Sequence, residues 1–110
     1  MLPRHNRIRS STDFTHVRKT GTRGTSGRIT AVVAPGTGFS RVGLVVGKQV
    51  GNSVQRKRVS RVLRHAIARA LPSYPEGSQV VLRALPGAAD RDSNLAVDAD
   101  KAVRKALDRQ

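Results

Sequence analysis

Cysteine and tryptophan are absent, and Phe14, Phe39 and Tyr74 are the only aromatic residues. Without cysteine the chain has neither a disulfide framework nor a thiolate metal site. So few rings disfavour a recognition-motif sheet with paired stacking aromatics. Acidic residues are nearly missing from the front of the chain, where Asp13 stands alone before Glu76. No apolar run approaches the ~18 residues of a membrane helix, and residues 1–9 carry no apolar segment of a secretory leader. The chain is therefore expected to be soluble and cytoplasmic, with no membrane partner.

What is present is positive charge. Through Pro75 there are fifteen Lys or Arg against one acid, and after it six of each sign, so the whole net charge of +14 belongs to the front two thirds. Ordinary surfaces intersperse both signs; a one-signed field attracts polyanions and, without them, opposes compaction. A length of 110 residues suits one domain, 1–110, with a single modest core. Apolar content of 37% is low for a globular domain and predicts marginal stability. Arg outnumbers Lys sixteen to five, which hints at a GC-rich bacterial genome.

Residues 1–9 carry Arg4, Arg7 and Arg9 without apolar periodicity and read as a basic arm, loosely docked or ordered on binding. Ser10 to Asp13 form a helix-start pattern, Phe14 and Val17 lie one turn apart, and Gly21 supplies a stop, giving a first helix over about Ser11 to Thr20. Gly21 to Gly27 is a loop or a bent strand. Residues 28–34 and 41–46 are rich in β-branched side chains, are separated by the turn-forming stretch 35–40, and read as an antiparallel pair. One face of that pair, Ile29, Ala31 and Val33 with Val42, Leu44 and Val46, is expected to be core. The other, Arg28, Thr30 and Val32 with Arg41, Gly43 and Val45, is mixed and suits a groove.

A second helix starts after Asn52-Ser53 and runs to about Leu71, ahead of Pro72. At helical spacing Val59, Val62, Leu63, Ala66, Ile67 and Ala70 share an arc of about 140°, and Lys57, Arg58, Arg61, Arg64, His65 and Arg69 take the other side. Gln79 to Leu85 reads as a further strand, Pro86 to Asp92 as a loop, and Leu95, Ala99, Ala102, Val103, Ala106 and Leu107 as the core stripe of a third helix.

Side-chain catalysis has little to work with. His5, His16 and His65 stand in an arm and on polar helix positions without a convincing acidic partner at helical spacing, so no general-base dyad or metal set is expected, and no catalytic residue is assigned. Phosphate contact is better supported. A helix N-terminus offers free N–H groups, and arginine's planar fork matches two phosphate oxygens; Gly51-Asn52-Ser53 leading into Arg56-Lys57-Arg58, with Arg61 and Arg64 beyond, combines both. Phe14 serves equally as core or as stacking platform, and Phe39 and Tyr74 are expected to plug their loops.

These residues carry a resemblance. Arg41-Val-Gly-Leu-Val-Val-Gly-Lys48, Val50-Gly-Asn-Ser-Val54, and Arg56-Lys-Arg58 with Arg61, Leu63 and Arg64 resemble the bacterial ribonuclease P protein pattern of an R-V-G strand, a K-x-V-G-N-A-V turn and an R-N-R helix. Asp13-Phe14 and Gly21 match a second family spacing, and 80–86 looks like its late strand; Lys57 stands where the family usually has Asn, and Arg18 where an aromatic is common. The resemblance implies a two-layer α/β sandwich of order αβββαβα, ribosomal-protein-like, with a left-handed βαβ crossover against the usual right-handed preference. It implies a protein subunit of the ribonuclease P holoenzyme, an endoribonuclease whose catalysis belongs to the RNA subunit, that supports removal of the 5′ leader of precursor tRNA. Lys48, Asn52, Ser53, Arg56, Lys57, Arg58, Arg61 and Arg64 are the residues it implies for the catalytic RNA, and Phe14, Arg18, Arg28, Thr30, Val32 and Arg41 for a leader-binding groove. Magnesium ions are implied to sit mainly on the RNA subunit, with none held by the protein alone, and the protein to be a monomer within the ribonucleoprotein. The alternative from the residues is a ribosome-associated or structural RNA-binding protein of related βαβ fold. A DNA-reading helix-turn-helix is disfavoured, because a strand pattern rather than a short helix precedes residue 47.

Overall fold

Ser10 accepts a hydrogen bond from the Asp13 amide at 3.1 Å, which satisfies a free donor at the start of helix α1 (Ser11–Thr20). The computed structural model describes residues 4–8, 10–36, 38–90 and 94–110; residues 1–3 and Arg9 of the basic arm, Thr37 of the turn and residues 91–93, including Arg91 and Asp92 of the last loop, lie outside them. After α1 come β1 (Thr22–Ser26), β2 (Ile29–Ala34), β3 (Arg41–Val45), α2 (Ser53–Ala70), β4 (Gln79–Ala84) and α3 (Leu95–Asp108). This is the expected order αβββαβα, with the open segment after Gly21 resolved as β1. Gly21 ends α1 in an extended conformation, its N–H bonded to the Val17 carbonyl at 2.8 Å.

The sheet order is β1-β2-β4-β3, so the expected pairing of β2 with β3 does not occur. β4 lies between them, antiparallel to β2 and parallel to β3. The reason is in β4 itself: Val80, Val81 and Leu82 are all buried, and an unbroken apolar run needs cover on both faces and a neighbour on both edges. β3, with Arg41 exposed and Leu44 and Val45 half-buried, takes the rim, and α2 makes the crossover that a parallel pair requires.

Alternation then builds two cores. Ile29, Ala31, Val33, Val42, Val80, Leu82 and Ala84 pack on the inner face against Val59, Leu63 and Ile67 of α2 and Leu95, Ala99, Ala102, Val103 and Ala106 of α3. Val32, Ala34 and Val81 pack on the outer face with Ile8 and Val17, and Phe14 and Val45 lie against them. The buried stripe of α2 is narrower than expected, because Val62 is left 38% exposed.

Both sheet rims are covered. Along β1, Gly24 lets α3 approach so closely that a Cβ there would fall 2.4 Å from the Ala102 carbonyl oxygen, and Lys105 and Arg109 donate to the carbonyls of Thr25 and Arg23 at 3.0 and 2.9 Å. Along β3, Arg7 bridges Val42, the Ile8 amide donates to the Val42 carbonyl at 2.9 Å, and the Ile8 side chain is buried. The arm residues 4–8 are therefore docked on the sheet. Among the described residues no helix is long and apolar enough to cross a membrane.

Tyr74 is a buried plug, as expected, and it clips the end of α2 to α3. Its hydroxyl donates to Asp100 Oδ1 at 2.8 Å, and Arg104 Nε donates to Oδ2 at 3.0 Å. Burial, then the bond to Asp100 and that group's charge, push the Tyr74 hydroxyl far above its ordinary range. For Asp100 burial pulls upward, but the bonds from Tyr74 and Arg104 and the Arg104 charge outweigh it and hold the carboxyl below its ordinary value. A depressed carboxyl stabilises the fold above its unfolded pKa, and that contribution is lost as pH falls through the folded value. Tyr74→Phe is expected to cost about 1 kcal/mol at neutral pH, a reduced figure because Asp100 is 38% exposed. Urea melts should show the gap between variant and parent closing below about pH 4.

Candidate nucleic-acid interface

Helix α2 opens with a full capping box: Asn52 Oδ1 accepts from the Gln55 amide and Gln55 Oε1 accepts from the Asn52 amide, both at 2.9 Å. The Asn52 oxygen is thus committed to fixing the helix start rather than left open. From there α2 turns three residues, Val59, Leu63 and Ile67, into the core and presents cations on both shoulders. On the β3 side, Ser53, Arg56, Lys57, Ser60 and Arg64 surround a hollow over Leu44. On the α3 side, Arg58, Arg61, His65 and Arg69 rim an apolar patch of Val62, Ala66 and Ala96. Lys48 is exposed in the short turn before the helix.

These cations are not equivalent. Arg58 donates to the Ala89 carbonyl at 2.5 Å and so also tethers the loop after β4. The Nε of Arg56 is buried without a hydrogen-bond partner among the described residues. Arg61 is exposed, Arg64 is half-buried at the hollow, and neither has a hydrogen bond or ion pair to the described protein.

The second surface lies on the opposite face of the sheet. Helix α1 crosses the outer face at the row formed by Gly43, Val81 and Val32, which the pairing register aligns across three strands. Gly43 makes this crossing possible, since a Cβ at that position would stand 2.5 Å from the Phe14 ring. Beside α1 the next row, Thr30, Arg83 and Val45, stays uncovered. The result is a groove lined by Arg18, Arg23, Thr30, Val32, Val45, Val81 and Arg83.

Of the groove residues expected from the sequence, Arg18, Thr30 and Val32 line it, and Phe14 sits half-buried at its β3 side against the same outer core. Arg41 is two residues from Gly43 in the direction away from Val45, so it falls on the other flank of α1, 3.8 Å from Asp13. Arg28 belongs to the β1–β2 turn. Its carbonyl accepts from the Leu85 amide at 2.8 Å, and its guanidinium lies beside Gly87 at the strand ends, outside the groove lining. Arg23 and Arg83 were not expected. Arg83 was legible as the alternation partner of Val81, whereas Arg23 needed the pairing of β1 to be known.

No acid lines the groove or either shoulder of α2 among the described residues. Nor do those residues contain a cluster of three His, Asp or Glu able to hold a metal ion. The chemistry available to both surfaces is recognition of phosphates by arginine and lysine, with apolar and hydroxyl groups between them.

Comparison with known proteins identifies the lineage. A family profile described as Ribonuclease P matches residues 2–109. The chain belongs to the ribonuclease P protein family. The ribonuclease P protein component of Streptomyces bikiniensis is 42% identical, with 97% of this chain and 96% of the relative covered. That of Kocuria rhizophila is also 42% identical, with coverage of 99% and 98%. The fold agrees with solved structures of lower identity. The RNase P protein from Thermotoga maritima superposes with a TM-score of 0.74 at 21% identity, over 94% of this chain and 96% of that one. The RNase P protein of Staphylococcus aureus gives 0.72 at 20%, over 94% of each.

Proposed function

We propose that this chain is the RNA-binding protein subunit of a bacterial ribonuclease P, working in the cytoplasm as a monomer within the ribonucleoprotein. The α2 surface docks on the catalytic RNA, and the outer-face groove holds the single-stranded 5′ leader of precursor tRNA. The observation that carries this reading is the presence of two acid-free cationic surfaces on opposite faces of one sheet. One RNA can lie on each without the two competing for the same side chains.

Each surface has the chemistry its partner needs. The ridge of α2 offers fixed charges to a folded RNA backbone. The groove is narrow, with Val32, Val45 and Val81 as an apolar floor for sugar and base edges, Thr30 as a hydroxyl partner, and Arg18, Arg23 and Arg83 for phosphates. On this reading magnesium is held mainly by the RNA. The protein's own part is to bind, to orient the leader and to add affinity for precursor over mature tRNA.

The groove assignment is tested by Arg23→Ala and Arg83→Ala in the reconstituted holoenzyme. Each is expected to lower affinity for precursor tRNA about three- to tenfold and to reduce its salt slope by somewhat less than about one unit. Affinity for mature tRNA, and assembly with the RNA subunit, should stay unchanged. Equal losses for precursor and mature tRNA would remove the leader from the groove.

A further inference from the structure

Phe39 was expected to plug its loop, yet 64% of its surface is exposed, and the ring pairs with His5 at a centroid distance of 4.4 Å and an angle of 41°. The pair is held from both sides. Asn6 Nδ2 donates to the Ser40 carbonyl at 2.7 Å, and two residues further along the Ile8 amide donates to the Val42 carbonyl at 2.9 Å. Two segments more than thirty positions apart are zipped together, and the outcome is an open phenyl ring backed by an imidazole. Burial does not account for it, since Phe39 is the most exposed of the aromatic residues, and neither described core includes it.

The surroundings state what such a ring can take. Arg7 and Arg41 stand in the same two segments, and Asp13, the one acid before Glu76, is 3.8 Å from the Arg41 guanidinium. An exposed ring in a cationic field meets the two requirements of a single-stranded nucleic acid contact, a π-face for a base and charge for its phosphates. Phe39 sits in the bend that precedes β3, beyond its Arg41 end, whereas Val45 of the groove stands at the other end, roughly 13 Å along the strand at about 3.3 Å per residue. It is therefore a contact point separate from the groove.

We infer that Phe39, backed by His5, is a stacking platform for one unpaired nucleobase of RNA. This rests on the proposed RNA-binding role and adds to it a base contact outside the groove and outside α2. The base comes either from the leader beyond the part held in the groove or from an unpaired position of the RNA subunit. The shared chemistry is the open π-face.

The test uses the full chain and Phe39→Leu, which keeps apolar volume and removes the π-face, with His5→Ala as a second variant and thermal melts to confirm folding. Binding is measured to a ten-nucleotide oligoadenylate and to an abasic ribose-phosphate strand of equal charge. Two further arms measure holoenzyme affinity for precursor tRNAs with short and long leaders, and affinity of the protein for the RNA subunit alone. Phe39→Leu is expected to weaken oligoadenylate binding about tenfold and to leave abasic-strand binding unchanged, with a smaller loss in the same pattern for His5→Ala. A loss confined to long leaders identifies the leader as the source of the base, and a loss with the RNA subunit identifies that RNA. Oligoadenylate and abasic strands weakened alike, or neither weakened while the parent chain binds RNA, would overturn the platform and leave the RNA-binding reading standing. Failure of the parent chain to bind any of these RNAs would instead sink that reading, and the platform with it.

Discussion

Replacing Arg61 and Arg64 together with alanine is expected to weaken assembly with the RNA subunit about a hundredfold near physiological salt, roughly tenfold for each charge-assisted contact removed. The slope of log affinity against log salt should flatten by nearly two units, since each phosphate contact contributes about 0.9. These two arginines are the informative pair because neither has a hydrogen bond or ion pair to the described protein, so their removal leaves the fold intact. Arg58 is a poorer choice. Its bond to the Ala89 carbonyl means that Arg58→Ala would mix a lost RNA contact with a loosened loop. Filter binding across a salt series, with a melt as control, decides the matter; an unchanged slope would take α2 out of the RNA interface.

Gly43→Val should produce the largest structural effect on the groove. Its Cβ alone would stand 2.5 Å from the Phe14 ring and 3.3 Å from the Ile8 Cβ, so α1 and the docked arm must both move away from the sheet. Overpacking of this kind costs about 2 kcal/mol. The damage falls on the outer face, which α2 does not touch. Urea denaturation should therefore show a lower midpoint, and the holoenzyme should lose its preference for precursor over mature tRNA while assembly with the RNA subunit persists. Retention of leader preference together with the full loss of stability would separate α1 from leader binding.

Much of this was readable from residue order. The first two helices were legible because each joins a start signal to an apolar stripe, Ser10 before Phe14 and Val17 and Asn52 before Val59, Leu63 and Ile67, and the third because of its apolar stripe alone, from Leu95 to Leu107. The two faces of the sheet were legible because side chains alternate, which separated Ala31 and Val33 from Thr30 and Val32 before any pairing was known. Neighbour relations were not. β2 and β3 follow one another with a turn between them, and only the two-sided burial of Val80 to Leu82 reveals that β4 separates them. The same gap explains the site. Arg83 and Arg23 enter the groove through the registers β2–β4 and β1–β2, and Arg41 and Arg28 fall away from it through position along the strand. Phe39 was misjudged because its environment is made by His5, a residue from the arm.

The most direct measurement of the central claim is cleavage of a precursor tRNA at limiting magnesium by a bacterial ribonuclease P RNA, with and without this protein. The account predicts no cleavage by the protein alone, slow cleavage by the RNA alone, and a large gain at the leader junction when both are present. Cleavage at the junction by the protein without RNA, or no gain on adding it, would contradict the account.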